Sequence, residues 1–147
     1  MSADSTYTRL IADLGQILGI AGLTPTEDGL CQLVFDGRQM VQVLHARAWN
    51  QVLVSCRLSD HGADAAQAER MARANFMQAG QGIVLCIAPD GRPHMQAALP
   101  MAACTAADLC SLLESLLDQA DTWGQSQGGA SGPPGGRHDP SVFLQSV

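Results

Sequence analysis

The sequence contains no lysine, so arginine supplies all eight basic side chains, which stand against 14 carboxylates for a formal charge of −6. The arginines are spread along the chain and form no basic cluster. Binding to nucleic acid or to an anionic membrane surface needs several basic groups on one face, because phosphate contacts and counterion release supply the affinity. We therefore expect neither nucleic acid nor a charged membrane surface as a partner.

Long apolar runs are absent as well. No run approaches the roughly 20 residues that span a bilayer, and residues 1–4 lack the charged and apolar regions that begin a signal peptide. We therefore expect a cytoplasmic protein with no membrane insertion.

Motifs that carry chemistry are also missing. The five cysteines form no Cys-x-x-Cys pair and lie in apolar segments, so they are expected to be reduced, small hydrophobic residues. The four histidines fall on different predicted elements without metal-ligand spacing, and no Gly-Lys-Ser/Thr sequence follows the glycines at positions 80 and 82. The sequence predicts no catalytic residue, no metal site and no cofactor, and hence a binding protein and not an enzyme.

What the sequence does contain is a clear succession of helical and strand periods. Apolar residues at three- and four-residue spacing indicate helices, and short runs rich in Val, Leu and Phe indicate strands. Asp36-Gly37 and Asp90-Gly91 suit the tight turns of hairpins. The predicted helices are 5–19, 64–80 and 105–123, and the predicted strands are 30–35, 40–45, 52–58, 83–88 and 94–99. This α-β-β-β-α-β-β-α order predicts an α+β fold with a twisted antiparallel sheet packed by helices.

The composition changes abruptly after Trp123 to a segment rich in Gly, Pro and Ser. Too few apolar groups remain there to offset the entropy of ordering the chain. We predict one domain at residues 1–123 and a flexible tail at 124–147, and we expect the terminal segment 141–147 to stay undocked.

Two neighbouring elements predict a second copy of the chain. The helix predicted at 64–80 carries mostly small apolar residues, and the strand predicted at 83–88 has no polar residue at all. A strand that is apolar on both faces needs cover on both faces, and one small domain readily supplies only one cover. A second protomer is the cover that we expect.

Three stretches together resemble a known family: LGIAGLTPTEDGLCQLVFDGRQMVQV, ANFMQAGQGIVLCIAPDGRPHMQAALP and TAADLCSLLESLLDQADTW. Their order and spacing are similar to those of the class I type III secretion chaperones, the Tir chaperone (CesT-like) family of Gram-negative bacteria. The resemblance implies a cytoplasmic, acidic homodimer that binds the N-terminal chaperone-binding segment of a secreted effector. It further implies that the effector is held extended across apolar patches, soluble and export-competent, without ATP.

The resemblance also assigns roles to positions. The residues implied to bind effector are Leu10, Leu14, Ile17, Leu18, Leu33, Phe35, Val41 and Val43. The residues implied to form the dimer interface are Ala68, Met71, Ala72, Phe76, Ile83, Leu85 and Ile87.

Two questions stay open on the sequence alone. A regulator or adaptor of the same fold, which binds a secretion-apparatus component or a transcription factor, would show the same apolar patches. The strand predicted at 30–35 would accept an added strand if it lay at a sheet edge, and the sequence does not give the strand order.

Overall fold

The computed structural model describes residues 3–77, 82–127 and 144–146 of the 147-residue chain. The helices are α1 (Ala3–Leu18), α2 (Ala65–Ala74) and α3 (Ala106–Gln127), and the strands are β1 (Leu30–Phe35), β2 (Gln39–Ala46), β3 (Gln51–Arg57), β4 (Ile83–Ile87), β5 (Pro93–Pro100) and β6 (Leu144–Ser146). The predicted α+β order is confirmed through α3, and β6 is a strand that the sequence patterns did not predict. No helix within these ranges is long and apolar enough to cross a membrane.

The strands form one sheet in the order β4-β5-β3-β2-β1-β6, and every neighbouring pair is antiparallel. Asp36 and Gly37 both have positive φ, 54° and 69°, which the tight β1–β2 hairpin requires. Gly91, with φ 85°, occupies the corresponding turn between β4 and β5. Both Asp-Gly turns therefore join neighbouring strands, as predicted.

The core lies between one face of the sheet and the helices α1 and α3. Burial alternates along β1, β2 and β3, so every second side chain faces the helices. The largest fully buried side chains are Tyr7, Ile11, Leu14, Leu33, Val41, Val43, Val52, Val54, Cys56, Leu109, Leu113 and Leu116. On the other face, the side chains of these three strands are half-buried.

Side-chain caps fix where α2 and α3 begin. The Asp64 carboxylate accepts from the backbone N–H of Gln67 at 2.8 Å, and the Gln67 side chain accepts from the N–H of Asp64 at 3.1 Å. Thr105 and Asp108 make the same reciprocal pair before α3, at 3.1 and 3.3 Å. Each pair satisfies backbone N–H groups that have no partner inside the helix, so both predicted helix starts are confirmed.

The end of α2 departs from the prediction. The helix ends at Ala74, before the predicted end at residue 80, and residues 78–81 lie outside the described part of the chain. At this point the N–H of Phe76 donates to the carbonyl of Arg73, a tighter turn than that of an α-helix. The predicted helical position of Phe76 is therefore wrong.

The C-terminal segment departs further. α3 continues to Gln127, four residues past the predicted boundary at Trp123. Residues 144–146, expected to stay undocked, pair instead with β1 at Leu33, Val34 and Phe35. The backbone groups on the free side of β1 give even a short segment hydrogen-bonding partners. Residues 128–143 of the predicted flexible tail lie outside the described ranges.

We predict that Leu113→Ala lowers the free energy of unfolding by about 2–5 kcal/mol, because it leaves a cavity where α3 meets the sheet. Chemical denaturation followed by circular dichroism measures the change. Ser115→Ala, at an exposed position on the same helix, should stay within about 0.5 kcal/mol of the parent. Equal stability of both variants would contradict the position assigned to α3.

Candidate binding surfaces

The side chains implied to bind effector fall into two groups. Leu10, Leu14, Leu33, Phe35, Val41 and Val43 are buried in the protomer core. Their contacts are made with the protein's own residues, so in this conformation they build the scaffold and present no surface to a ligand. Ile17 is 52% exposed and Leu18 is half-buried at the end of α1. Only these two can contact a partner without opening the core.

The residues implied to form a dimer interface lie on or beside the edge strand β4. Met71 is buried, whereas Ala68, Ile83 and Leu85 are half-buried and Ala72 is exposed. Phe76 and Met77 are 77% and 84% exposed, and Val84 and Ile87 on β4 are exposed as well. We call these four residues, Phe76, Met77, Val84 and Ile87, the β4 edge surface. Met77 and Val84 are not among the residues that the resemblance implies for the interface, although both lie within the two elements, 64–80 and 83–88, that predict a second protomer.

Asn75 covers the backbone of this edge. Its Nδ2 donates to the Leu85 carbonyl and its Oδ1 accepts from the Leu85 N–H, both at 2.8 Å. The N–H of Ala88 donates to the carbonyl of Arg92 in the β4–β5 ladder. Because hydrogen-bonded pairs alternate along an antiparallel ladder, the backbone groups of Leu85 point away from β5, to the outside of the sheet. The Asn75 amide therefore takes the place that a seventh strand would occupy there.

At the opposite end of the sheet, β6 lies along the side of β1 that faces away from β2. The N–H of His45 donates to the carbonyl of Gly29, next to the first residue of β1. The same alternation then points the backbone groups of Leu33 and Phe35 toward β2 and those of Val34 toward β6. Val34 is paired with Gln145 in the β1–β6 register. This edge accepts an antiparallel strand, and a segment of the chain itself supplies it.

A shallow depression of about 370 Å³ lies on the face of the sheet opposite the core. Leu44 and Leu53 line its floor together with Ser55, His94 and Gln96. The Ser55 hydroxyl lies 2.9 Å from Nδ1 of His94 and accepts from the Gln96 amide at 3.4 Å. Burial lowers the pKa of His94, outweighing the opposing effect of Asp90. A serine hydrolase would also need a carboxylate to orient the histidine, and the described residues that line the depression include none.

A buried histidine joins α1 to β2. His45 is 3% exposed, and its ring stacks on Tyr7 with centroids 4.9 Å apart. The Tyr7 hydroxyl donates to the Val43 carbonyl at 3.2 Å, and burial raises the pKa of this phenol. Asp4 accepts from Arg47 Nε at 2.8 Å and lies 3.6 Å from Nδ1 of His45. These contacts hold the first turns of α1 against β2, so their role is structural.

The cysteines carry no sign of reactivity. Burial raises the pKa of Cys31 and of Cys56 to about 11, and it also raises the pKa values of the remaining three thiols. All five are free thiols. A neutral thiol is a poor nucleophile and a poor metal ligand. Within the described ranges, no three His, Cys, Asp or Glu side chains come close enough to hold a metal ion.

Comparison with known proteins supplies the context for these surfaces. The family model described as Tir chaperone protein (CesT) family matches residues 9–124. This match confirms the resemblance seen in the sequence. No curated protein sequence matches the chain at a significant level.

Solved structures share the fold at low sequence identity. The chain is similar to one in the ExsC–ExsE complex, with a TM-score of 0.80 and 22% identity over 89% of this chain and 100% of that one. A chain of the HopA1–SchA chaperone–effector complex gives 0.71 and 19% over 84% and 96%. A chain from the complex of the Yersinia pestis type III secretion chaperone SycH with a fragment of YscM2 gives 0.65 and 20% over 79% and 98%.

We predict that Cys31 and Cys56 do not react with a thiol reagent in the native protein at pH 8. With a pKa of about 11, only about one molecule in a thousand carries either thiolate at that pH. The half-buried Cys86, Cys104 and Cys110 should react first, and all five should react in guanidinium chloride. Rapid native labelling of Cys31 or Cys56, identified by mass spectrometry, would contradict the burial described for β1 and β3.

Proposed function

The chain belongs to the Tir chaperone protein (CesT) family, and from this premise we propose that it is a type III secretion chaperone. It binds an N-terminal segment of a secreted effector in the cytoplasm and keeps that effector soluble and competent for export. The observation that carries the proposal is the family match over residues 9–124, which spans the domain from α1 to α3. The similarity to a chain of the HopA1–SchA chaperone–effector complex supports it.

The surfaces that suit this role bind an extended chain by shape and backbone pairing. Ile17 and Leu18 offer apolar contacts at the end of α1. The side of β1 that faces away from β2, where β6 pairs at residues 33–35, offers backbone hydrogen-bonding groups. Neither feature requires a nucleotide or a reactive side chain. The proposal therefore assigns the protein no catalytic step and no ATP hydrolysis.

We further propose that the protein is a homodimer that uses the β4 edge surface. Phe76 and Met77 directly follow Asn75, which bonds to Leu85 of β4, and Val84 and Ile87 lie on β4 itself, so four exposed large apolar side chains lie at or next to this sheet edge. Burying such side chains is the main favourable term in protein association. The Asn75 amide is already hydrogen-bonded to the backbone N–H and C=O of Leu85. The two protomers would therefore join through side-chain packing and not through a continuous sheet at that residue.

We predict that Val84→Arg converts the dimer to a monomer, because it places a charge in the apolar contact that association would desolvate. Light scattering at micromolar concentration gives the mass. Ser111→Arg, at an exposed position on α3, adds the same charge elsewhere and should leave the dimer intact. A monomeric parent protein, or a dimeric Val84→Arg variant, would refute the assignment of this surface.

Co-expression with the N-terminal segments of candidate effectors tests the proposed function, with about 100 residues chosen to supply an interface of standard size. We predict that the chain co-purifies with at least one such segment and raises its solubility. Ile17→Asp should weaken that complex about tenfold or more, since it removes one exposed apolar side chain that the effector would bury. The matched control is Gln16→Asp, at an exposed neighbouring position, which should bind like the parent.

Two results would count against the proposal. Failure of every secreted protein of the same organism to co-purify would refute effector binding. Capture of a secretion-apparatus component or a transcription factor, with effector export unchanged in a deletion strain, would assign the chain to regulation instead.

A further inference from the structure

The two edges of the sheet are closed by different means. On β4 the Asn75 amide occupies the outward backbone groups of Leu85 with two hydrogen bonds of 2.8 Å. On β1 the outward backbone groups of Val34 face Gln145 of β6. The first cover belongs to the domain, next to the end of α2. The second comes from a segment that follows α3 and is separated from it by 16 residues, 128–143.

The cover on β1 is shorter than the strand that it covers. β6 pairs with Leu33, Val34 and Phe35, whereas β1 has six residues. Hydrogen bonds between strands accumulate with the number of paired residues, and each contributes only about 0.5–1.5 kcal/mol net. A strand from another protein that pairs along the whole of β1 would therefore make more backbone hydrogen bonds than β6 makes.

The connection to α3 makes the β6 contact intramolecular. Any sixteen residues reach at most about 55 Å when fully extended, and joining two segments within such a reach typically gives an effective concentration in the millimolar range. A three-residue strand can then occupy the edge while its intrinsic affinity is low. A free competitor must exceed this effective concentration or bind with more contacts.

We propose that β6 is an intramolecular placeholder for a partner's strand. It covers the β1 edge in the free protein, and it is displaced when an extended segment of the partner pairs with β1. The identity of that partner as an effector rests on the function proposed above, whereas the competition between β6 and an added strand does not. The Asn75 cover on β4 directs strand addition to the β1 edge.

Amide hydrogen exchange in two full-length variants tests the occupancy of the edge. Gln145→Pro removes the N–H that faces Val34, whereas Ser146→Pro removes an N–H that the alternation points away from β1. We expect exchange at the Val34 amide to rise about fivefold or more in Gln145→Pro, the factor that follows from losing one backbone hydrogen bond. In Ser146→Pro it should stay near the parent rate.

The amides of Leu33 and Phe35 serve as internal controls, because their hydrogen bonds run to β2. They should exchange at the parent rate in both variants. Equal exchange at Val34 in the parent and in Gln145→Pro would overturn the placeholder.

Competition is tested with a labelled peptide that carries residues 139–147 of this chain. We expect it to bind full-length Gln145→Pro at least about tenfold more tightly than it binds the parent or Ser146→Pro, because the tethered strand no longer competes at millimolar effective concentration. Equal binding to all three proteins, or binding to none, would overturn the inference.

These measurements need no effector, so their failure is separable from failure of the proposed function. If an effector segment binds the parent and Gln145→Pro with equal affinity, the chaperone function stands and the placeholder is refuted. If no effector is found while Val34 exchange and peptide binding behave as expected, the placeholder stands and the proposed function falls.

Discussion

Backbone hydrogen bonding at the sheet edges is the constraint on which this structure depends. An antiparallel sheet satisfies its inner strands automatically, but each edge strand leaves a row of N–H and C=O groups without a strand partner. Here the Asn75 side-chain amide hydrogen-bonds to the β4 edge at Leu85, and β6 pairs with the β1 edge at Val34. The cover on β4 is part of the domain, which suits that edge to side-chain packing in a dimer. The cover on β1 comes from a separate segment, which suits that edge to an extended ligand.

The positions of α1 and α3 explain why one face of the sheet is buried in the core. α1 and α3 pack on a single face, where the alternation of β1 to β3 places Leu33, Val43 and Val54. The other face keeps a mixture of Leu44, Leu53 and a hydrogen-bonded Ser55–His94 pair. A protein that binds extended chains benefits from such a division, because a rigid inner layer holds the outer edges in position without taking part in the contact.

Much of the fold follows from local chemistry. The Asp-Gly turns and the capping pairs at Asp64 and Thr105 act within a few residues, so the sequence predicts them directly. The end of α2 is different, because the turn at Phe76 accompanies hydrogen bonds between Asn75 and Leu85, ten residues later. β6 forms only by pairing with β1, which lies more than a hundred residues earlier in the chain. Local sequence patterns do not predict strand order. Composition placed a boundary at Trp123, whereas α3 continues to Gln127, and it gave no sign of where the last residues pair.

The exposure of individual apolar side chains was harder to predict than the fold. Helical spacing identifies the apolar stripe of α1, but it does not separate Leu14, which is enclosed by the core, from Ile17, which is exposed near the end of the helix. The strand pattern likewise selects inward-facing side chains such as Leu33 and Val43, whereas the feature of β1 that suits a ligand is its backbone. Backbone groups are the same in every residue, so only the three-dimensional arrangement shows which of them have partners.

The Asn75–Leu85 contact also affects how several copies of the chain can associate. A sheet with two open edges can grow head to tail without limit, as each added molecule presents a fresh edge to the next, and such non-closing contacts produce filaments. Asn75 occupies the outward backbone groups of Leu85 in every molecule, so an added strand cannot pair at that residue, and head-to-tail growth through β4 is disfavoured.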